Sequence, residues 1–188
     1  EQEDAANPRA NNIFGHIIRW VEQGGDAAAE TFRWEICLRG GNRTHPEIEH
    51  RGDVRKGEPR QDFGSPDGIY LDRRGVLWVQ TDVSSSTINS GPYSGMGNNQ
   101  LMAVDPSTKE VRRFLTGPNG CEVTGITQTP DGRTLFVNIQ HPGERPDDAP
   151  SIPASPLSTW PANAHGRPRS ATVMIQRKDP SDERAIGE

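Results

Sequence analysis

Short apolar runs, most of them alternating with polar residues, recur along this chain and predict β-strands. In the run 31–38, Phe32, Trp34 and Ile36 alternate with charged or small residues, which is the period-two pattern of a half-buried strand. The run 76–79, Val-Leu-Trp-Val, is continuously apolar and rich in β-forming residues. On these patterns we predict strands at residues 13–21, 31–38, 69–72, 76–81, 100–105, 110–116, 122–128, 134–139 and 170–177.

Turn residues separate the predicted strands and indicate a repeat. The tripeptide Pro-Asp-Gly occurs at 66–68 and again at 130–132, a spacing of 64 residues. Proline fixes φ and glycine allows a positive φ, so each copy predicts a turn. A four-stranded sheet is the repeating unit of a β-propeller, and one blade usually takes about 40–50 residues before insertions.

The predicted strands group into sheets in chain order. Those within 69–116 make one complete blade, those within 122–177 make three strands of the next, and those within 13–38 make the outer pair of the preceding blade. The predicted fold class is therefore all-β, a partial β-propeller of roughly two and a half blades. Such a piece leaves sheet edges and apolar faces exposed. We therefore expect residues 1–188 to be a single portion of a larger propeller protein.

Two long polar segments lie between the predicted strands. Residues 39–62 and 142–170 are predicted to be exposed loops or insertions, because long stretches without secondary structure are usually functional or disordered. The first contains a glycosylation-type tripeptide at 42–44 and an Arg-Gly-Asp tripeptide at 51–53, and both patterns are short enough to occur often by chance. The polar tail 178–188 is predicted to be frayed.

Composition and charge narrow the classes of function. The 16 prolines and 20 glycines among 188 residues leave little room for long helices. The formal charge of −5 argues against a nucleic-acid partner, and no apolar run approaches the roughly 18 residues of a membrane span. The chain begins Glu-Gln-Glu, without a signal peptide. The two cysteines, Cys37 and Cys121, are too few for a disulfide scaffold, and a bridge between them stays open.

Acidic side chains recur at the predicted ends of strands. Hard cations prefer oxygen ligands, and neighbouring carboxylates repel one another unless a cation offsets their charge. Asp82 follows an apolar strand and opens a Ser-rich loop, and Glu122 enters a strand directly after Gly-Pro-Asn-Gly. Both are candidate metal ligands. Asp67 is a weaker candidate, because an aspartate in Pro-Asp-Gly usually closes a turn.

His141 and Asn99 are candidates for a supporting role. His141, in Gln-His-Pro-Gly-Glu, is a candidate to bind a metal, to hydrogen-bond a residue that binds the metal, or to cap its loop. Asn99 is a candidate to hydrogen-bond a residue that binds the metal. The sequence contains no Walker loop and no Gly-x-Ser-x-Gly motif, so no catalytic nucleophile is assigned. The tryptophans at 20, 34 and 78 are predicted to fill the core.

Several unusual strings occur in one order along residues 5–177. They are ANPRANNIFGHIIRW, FRWEICL, SPDGIYLDRRGVLWVQTD, GNNQLMAVDP, VRRFLTGPNGCEVTGIT and TPDGRTLFVNIQHPGE. In these strings the chain resembles the C-terminal half of the PhoX-type alkaline phosphatases.

The resemblance implies a six-bladed propeller whose axial site holds iron and calcium ions and hydrolyses phosphate monoesters. It also implies export to the periplasm or beyond the cell. By similarity, Glu122 would be a carboxylate ligand, and Asp67 and Asp82 would be calcium or iron ligands. The family also uses a cysteine iron ligand and phosphate-binding arginines from its N-terminal half, which these 188 residues lack. Neither cysteine of this chain matches that ligand.

Two hypotheses of different classes follow from the sequence. The first is an enzyme, part of a metal-dependent phosphomonoesterase whose partner is the missing N-terminal half, with activity expected of the parent protein rather than of the isolated chain. The second is a non-catalytic, calcium-stabilised propeller fragment or binding module. Metal-dependent hydrolysis of a phosphate monoester separates them.

Overall fold

The computed structural model describes residues 3–42, 62–146, 155–162 and 166–188, which form an all-β fold. Short 3₁₀ turns at Gln23–Gly25 and Gly91–Tyr93 lie in the connections. The strands are β1 (His16–Glu22), β2 (Phe32–Arg39), β3 (Pro66–Leu71), β4 (Leu77–Thr81), β5 (Gln100–Asp105), β6 (Glu110–Thr116), β7 (Glu122–Gln128), β8 (Thr134–Gln140) and β9 (Ala171–Gln176).

The strands form three antiparallel sheets, in which each strand pairs with the next one along the chain. β1 pairs with β2, β3 to β6 form a four-stranded sheet, and β7 to β9 form a three-stranded sheet. The predicted strands and their grouping into sheets are therefore confirmed. Among the described residues, no helix is long and apolar enough to cross a membrane.

The two long polar segments are described only in part. At the ends of the first, Asn42 and Asp62 are 3% and 2% exposed, and the Asn42 amide donates hydrogen bonds to the carbonyls of Pro92 and Ser94. The other two residues of the glycosylation-type tripeptide and the Arg-Gly-Asp tripeptide lie outside the described residues, as do 147–154 and 163–165 of the second segment.

The Pro-Asp-Gly tripeptide at 66–68 is not a turn, contrary to the sequence prediction. It forms the start of β3, the edge strand of its sheet, where the missing N–H of a proline is tolerated. A β-bulge lies between Pro66 and Ile69. The second copy, at 130–132, is a turn, in which the Gly132 N–H donates to the Thr129 carbonyl at 2.9 Å. The two copies therefore occupy different positions in their sheets.

A different pair of glycines marks equivalent positions in the two larger sheets. Gly68 and Gly125 both lie at a bulge in the first strand, and each precedes an isoleucine. A Cβ at Gly68 would overlap the Gln80 side chain, and a Cβ at Gly125 would overlap the Asn138 side chain. The same element, an amide from the second strand lying over a glycine of the first, thus recurs after 57 residues.

Two of the three apolar clusters of the core form layers on opposite faces of the four-stranded sheet, and the third contains Phe14, Val83, Tyr93 and Met96. One layer joins this sheet to the β1–β2 hairpin, and the other joins it to the β7–β9 sheet around the fully buried Trp78. The first layer contains Ile17, Cys37, Leu38, Phe63, Leu77, Val79, Met102, Val104 and Val111. The second contains Trp78, Leu101, Cys121, Val123, Leu135, Val137, Ile139 and Ile186.

Two of the tryptophans that were predicted to fill the core are exposed. Trp20 and Trp34 face each other across the β1–β2 pair, and they are 58% and 42% exposed, whereas Trp78 is buried. The hairpin is covered only at its base, where Ile17 and Leu38 are buried. The alternation of residues in β2 therefore predicts the strand correctly but not the burial of its apolar face.

The C-terminal tail is docked rather than frayed. Ala185 and Ile186 are 8% and 5% exposed, and the Ile186 N–H donates to the Gly132 carbonyl at 2.9 Å. Arg74 donates to the Ile186 carbonyl, and Arg177 donates to the Ala185 carbonyl at 2.9 Å. Arg74, Arg177 and Ile186 therefore hold the tail in place. The polar composition of residues 178–188 gives no indication of this docking.

Candidate functional site

The candidate residues gather at one edge of the sheets, which we call the Glu122 edge. It comprises the N-terminal ends of β3, β5, β7 and β9, the C-terminal ends of β4, β6 and β8, and the connections that follow them. Backbone hydrogen bonds tie these connections together. The Asp82 N–H donates to Ser65 at 3.0 Å, the Gly117 N–H to Asn99 at 2.8 Å and the Gly143 N–H to Asn119 at 2.7 Å.

Glu122 is a largely buried carboxylate at this edge. It is the first residue of β7, opposite Gln140 of β8, and its side chain is 12% exposed. One carboxylate oxygen, Oε2, lies 3.4 Å from Nε2 of His141. Acidic residues are rarely this buried unless a partner or a cation offsets the desolvation of the charge. Glu122 is therefore the candidate residue whose environment most favours a ligand.

Asn99 fixes the backbone next to Glu122. Its amide donates to the Val83 carbonyl at 3.0 Å and to the Cys121 carbonyl at 2.9 Å. Its carbonyl oxygen accepts from the Thr81 hydroxyl at 3.0 Å and from the Val83 N–H at 2.7 Å. The buried side chain makes four hydrogen bonds, so Asn99 holds the backbone beside the candidate ligand Glu122.

His141 lies between two carboxylates. Nε2 approaches Glu122 and Nδ1 approaches Oε2 of Glu144, both at 3.4 Å. The backbone of His141 has a φ of 34°, in the left-handed region that few non-glycine residues adopt. Its N–H donates to the Ser170 hydroxyl oxygen at 3.0 Å. The ring therefore lies between the start of β7 and Glu144 of the β8–β9 connection, and Ser170 of the same connection holds the backbone.

Gly120 allows the β6–β7 and β8–β9 connections to meet beside Glu122. It has a φ of 64°, and a Cβ there would overlap the backbone carbonyl of Glu144. The Glu144 N–H donates to the Gly120 carbonyl at 3.1 Å. Neither Gly120 nor Ser170 was singled out from the sequence. The Pro-Asn-Gly run at 118–120 is a turn signal, but it does not show which backbone the glycine approaches.

Asp67 and Asp82 lie at the same edge but in open surroundings. Both are exposed, and no side-chain hydrogen bond or ion pair holds either carboxylate within the part of the chain that the structure describes. The described residues contain no group of three or more His, Cys, Asp or Glu that could hold a metal ion. Glu122 therefore fits as one oxygen ligand, and the described residues of this chain do not form a complete metal site.

Two further aspartates, Asp72 and Asp131, have structural roles. Burial by itself would raise the pKa of Asp72, but hydrogen bonds from the Val76 and Arg74 N–H groups, the Trp78 indole and the Arg74 guanidinium hold that pKa below its usual value. Asp131 accepts a hydrogen bond from the Thr129 hydroxyl at 2.6 Å and closes the 130–132 turn.

Cys121 is a buried thiol of the second core layer. Burial raises the pKa of this thiol to about 12, which disfavours the thiolate that metal binding requires. Cys37 is buried as well, and no disulfide joins the two residues. Both cysteines therefore act as small, buried core residues.

Comparison with known proteins supplies the family. The family described as "Alkaline phosphatase PhoX" matches residues 1–143. The chain belongs to this family. The match spans Asp67, Asp82, Asn99, Glu122 and His141.

A solved PhoX structure has the same fold over nearly the whole chain. It is PhoX of Pseudomonas fluorescens in complex with vanadate, described as a transition state analogue, and it is 41% identical to this chain with a TM-score of 0.77. The match covers 99% of this chain but 30% of the Pseudomonas chain. These 188 residues thus span less than a third of the PhoX protein that they match. No curated protein sequence matches the chain.

Proposed function

We propose that this chain forms part of a PhoX-type phosphatase that hydrolyses phosphate monoesters, and that Glu122 supplies one carboxylate to its metal site. The observation that carries the proposal is the environment of Glu122, whose side chain is 12% exposed and has a histidine 3.4 Å away. The Pseudomonas relative binds vanadate, a transition state analogue, and is 41% identical over 99% of this chain. Identity at this level supports transfer of the reaction class to the protein that contains these residues.

Calcium and iron ions are the metals that the family resemblance implies for this site. Bound metal ions would neutralise phosphate oxygens and position or activate the attacking oxygen. Glu122 offers the oxygen donor that such hard cations prefer, and Asp67 and Asp82, at the same edge, are further candidates. Because the described residues lack a complete ligand group, the remaining ligands would come from outside them, including the portion of the family's proteins that this chain does not cover.

Exposed apolar residues on β3 support a partial propeller. Ile69 and Leu71 are 55% and 61% exposed, although their cross-strand partners Val79 and Leu77 belong to the core layer that the β1–β2 hairpin covers. The hairpin thus covers this sheet face over β4 to β6 and leaves the edge strand β3 open. Two further strands next to the hairpin would cover β3 and complete a four-stranded blade.

A calcium-stabilised binding module without catalytic activity is the second candidate function. The exposed Asp67 and Asp82 carboxylates at the Glu122 edge are the oxygen donors that such a module would offer to calcium. Export to the periplasm or beyond the cell stays a prediction from the family resemblance for either function.

The test is a hybrid protein in which this chain replaces the matching 30% of Pseudomonas fluorescens PhoX. We expect the hybrid to hydrolyse p-nitrophenyl phosphate and to be inhibited by vanadate, because it would contain a whole ligand set. We expect the isolated chain to show no hydrolysis with added calcium and iron.

The matched control is unaltered Pseudomonas PhoX, purified and assayed in parallel. A hybrid that gives a cooperative unfolding transition but neither hydrolyses the substrate nor binds vanadate would contradict the proposed function and leave the binding module.

A further inference from the structure

We infer that His141 is a positioning residue, which sets the orientation of the Glu122 carboxylate by holding Oε2 from one side. This inference rests on the proposed function, in which Glu122 is a ligand. It adds a role for the histidine ring, whose two nitrogens lie 3.4 Å from Glu122 and from Glu144.

The ring makes one contact with each of two carboxylates through different nitrogens. A contact of 3.4 Å is longer than a normal hydrogen bond but within the range of a charge–dipole or ion-pair interaction. Rotation of the ring would weaken both contacts, although the buried Nδ1 has no hydrogen-bond partner among the described residues. Glu144 is 45% exposed in its side chain, whereas Glu122 is 12% exposed, so the ring connects a solvent-facing carboxylate to a buried one.

The backbone of His141 is held in an unfavourable conformation by its surroundings. His141 has a φ of 34°, in the left-handed region that non-glycine residues adopt only at an energetic cost. Its N–H donates to Ser170 at 3.0 Å, and its carbonyl accepts from the Glu144 N–H at 3.1 Å. Pro142, which follows it, is buried. This strained backbone conformation is maintained beside the buried carboxylate of Glu122. It therefore points to a requirement for the position of the His141 ring.

Two substitutions separate the ring's effect on Glu122 from its effect on the backbone. Asparagine adopts the left-handed region more readily than most residues, and its amide reaches only as far as Nδ1, on the Glu144 side. Glutamine places its amide nitrogen near the position of Nε2, on the Glu122 side. His141→Asn therefore removes the Glu122 contact with little change in backbone preference, and His141→Gln restores a donor toward Glu122.

The first readout is the position of Glu122 itself. In a crystal structure of the hybrid protein carrying His141→Asn, we expect the Glu122 carboxylate to occupy a different rotamer from that in the unsubstituted hybrid. A Glu122 carboxylate that keeps its orientation would overturn the inference. This readout does not depend on activity, so it decides the role of His141 even if the hybrid proves inactive and the proposed function fails.

The second readout is kinetic. With p-nitrophenyl phosphate as substrate, His141→Asn should lower kcat about 10- to 100-fold, as loss of a group that orients a ligand typically does. KM should change less than about 3-fold, because substrate binding before reaction is less sensitive to ligand orientation than the transition state is. Inhibition by vanadate should weaken in parallel with kcat/KM. His141→Gln should recover most of the lost rate, and equal losses in both variants would overturn the inference.

Discussion

The side-chain amide of Asn99 donates a 2.9 Å hydrogen bond to the carbonyl of Cys121, the residue directly before Glu122. The same amide group holds Val83 through its N–H and its carbonyl. One buried side chain therefore sets the distance between the β4–β5 connection and the start of β7. The position of Glu122 depends on this link before any ligand is bound.

Substitution of Asn99 is expected to destabilise the fold strongly. Asn99→Ala leaves the Cys121 and Val83 carbonyls and the Val83 N–H without their partner, and each unsatisfied buried group costs about 1–3 kcal/mol. We expect a loss of about 3 kcal/mol or more in the free energy of unfolding, measured by urea denaturation. Asn98→Ala is the matched control and should cost less than about 1 kcal/mol, since Asn98 is only half-buried. Equal costs for the two variants would show that the Asn99 link has no special importance.

Gly120→Ala should separate the two connections that meet beside Glu122. The new Cβ would overlap the Glu144 carbonyl, so the 141–144 segment must move and take the His141 ring with it. Gly24→Ala is the control, because Gly24 has a similar φ of 70° and a methyl group added there would have no neighbour within 4 Å. We expect Gly24→Ala to cost about 1 kcal/mol from backbone strain alone, and Gly120→Ala to cost at least about 2 kcal/mol more. Thermal unfolding of both variants checks this difference.

A docked tail and a frayed tail predict different effects of truncating the Ile186 side chain on stability. Ile186 is 5% exposed in the second core layer, so Ile186→Ala should lower the free energy of unfolding by about 2–4 kcal/mol. Leu157→Ala, at a side chain that is 40% exposed, should cost less than about 1 kcal/mol. Urea denaturation of both variants tests this, and a neutral Ile186→Ala would mean that the tail does not pack in solution.

Asp72 should contribute stability that disappears in acid. Its pKa is lowered in the folded state by hydrogen bonds that outweigh the opposing effect of burial. A lowered folded pKa means that the contribution is complete above the unfolded value of about 3.9 and is lost as the pH falls through the folded pKa. Asp72→Asn should therefore be less stable than the wild type at pH 7, by about 2 kcal/mol.

The difference between wild type and Asp72→Asn should shrink as the pH falls below the unfolded pKa of about 3.9. Urea denaturation at a series of pH values measures it. A difference for Asp72→Asn that stays constant with pH would contradict the assignment.

The strands were predictable because local alternation and turn residues carry most of the information for an antiparallel meander. The bounds of 100–105, 110–116 and 122–128 agree with β5, β6 and β7. The predicted turn at 66–68 was wrong because the tripeptide Pro-Asp-Gly is compatible with two structures. It forms a turn at 130–132 and a bulged edge strand at 66–68. Only the cross-strand pairing, which brings Gln80 over Gly68, distinguishes the two settings.

Burial and side-chain contacts were less predictable than strands, because they depend on which surfaces meet. Nothing in the local pattern shows that Trp78 lies between two sheets and that Trp20 projects from a hairpin. For the site, the sequence singled out Glu122 and His141, but not that they touch. The contact depends on the close approach of Gly120 and Glu144 and on Ser170, residues that are adjacent only in the fold.

The measurement that tests the central claim most directly is the rate of p-nitrophenyl phosphate hydrolysis by the hybrid PhoX carrying Glu122→Gln. Glutamine keeps the size of the side chain and removes its charge, so the fold should persist while a carboxylate ligand is lost. We predict a fall in kcat of at least about 100-fold, with an unfolding midpoint close to that of the unsubstituted hybrid. Hydrolysis at the unsubstituted rate would contradict the claim that this chain supplies Glu122 to the phosphatase site.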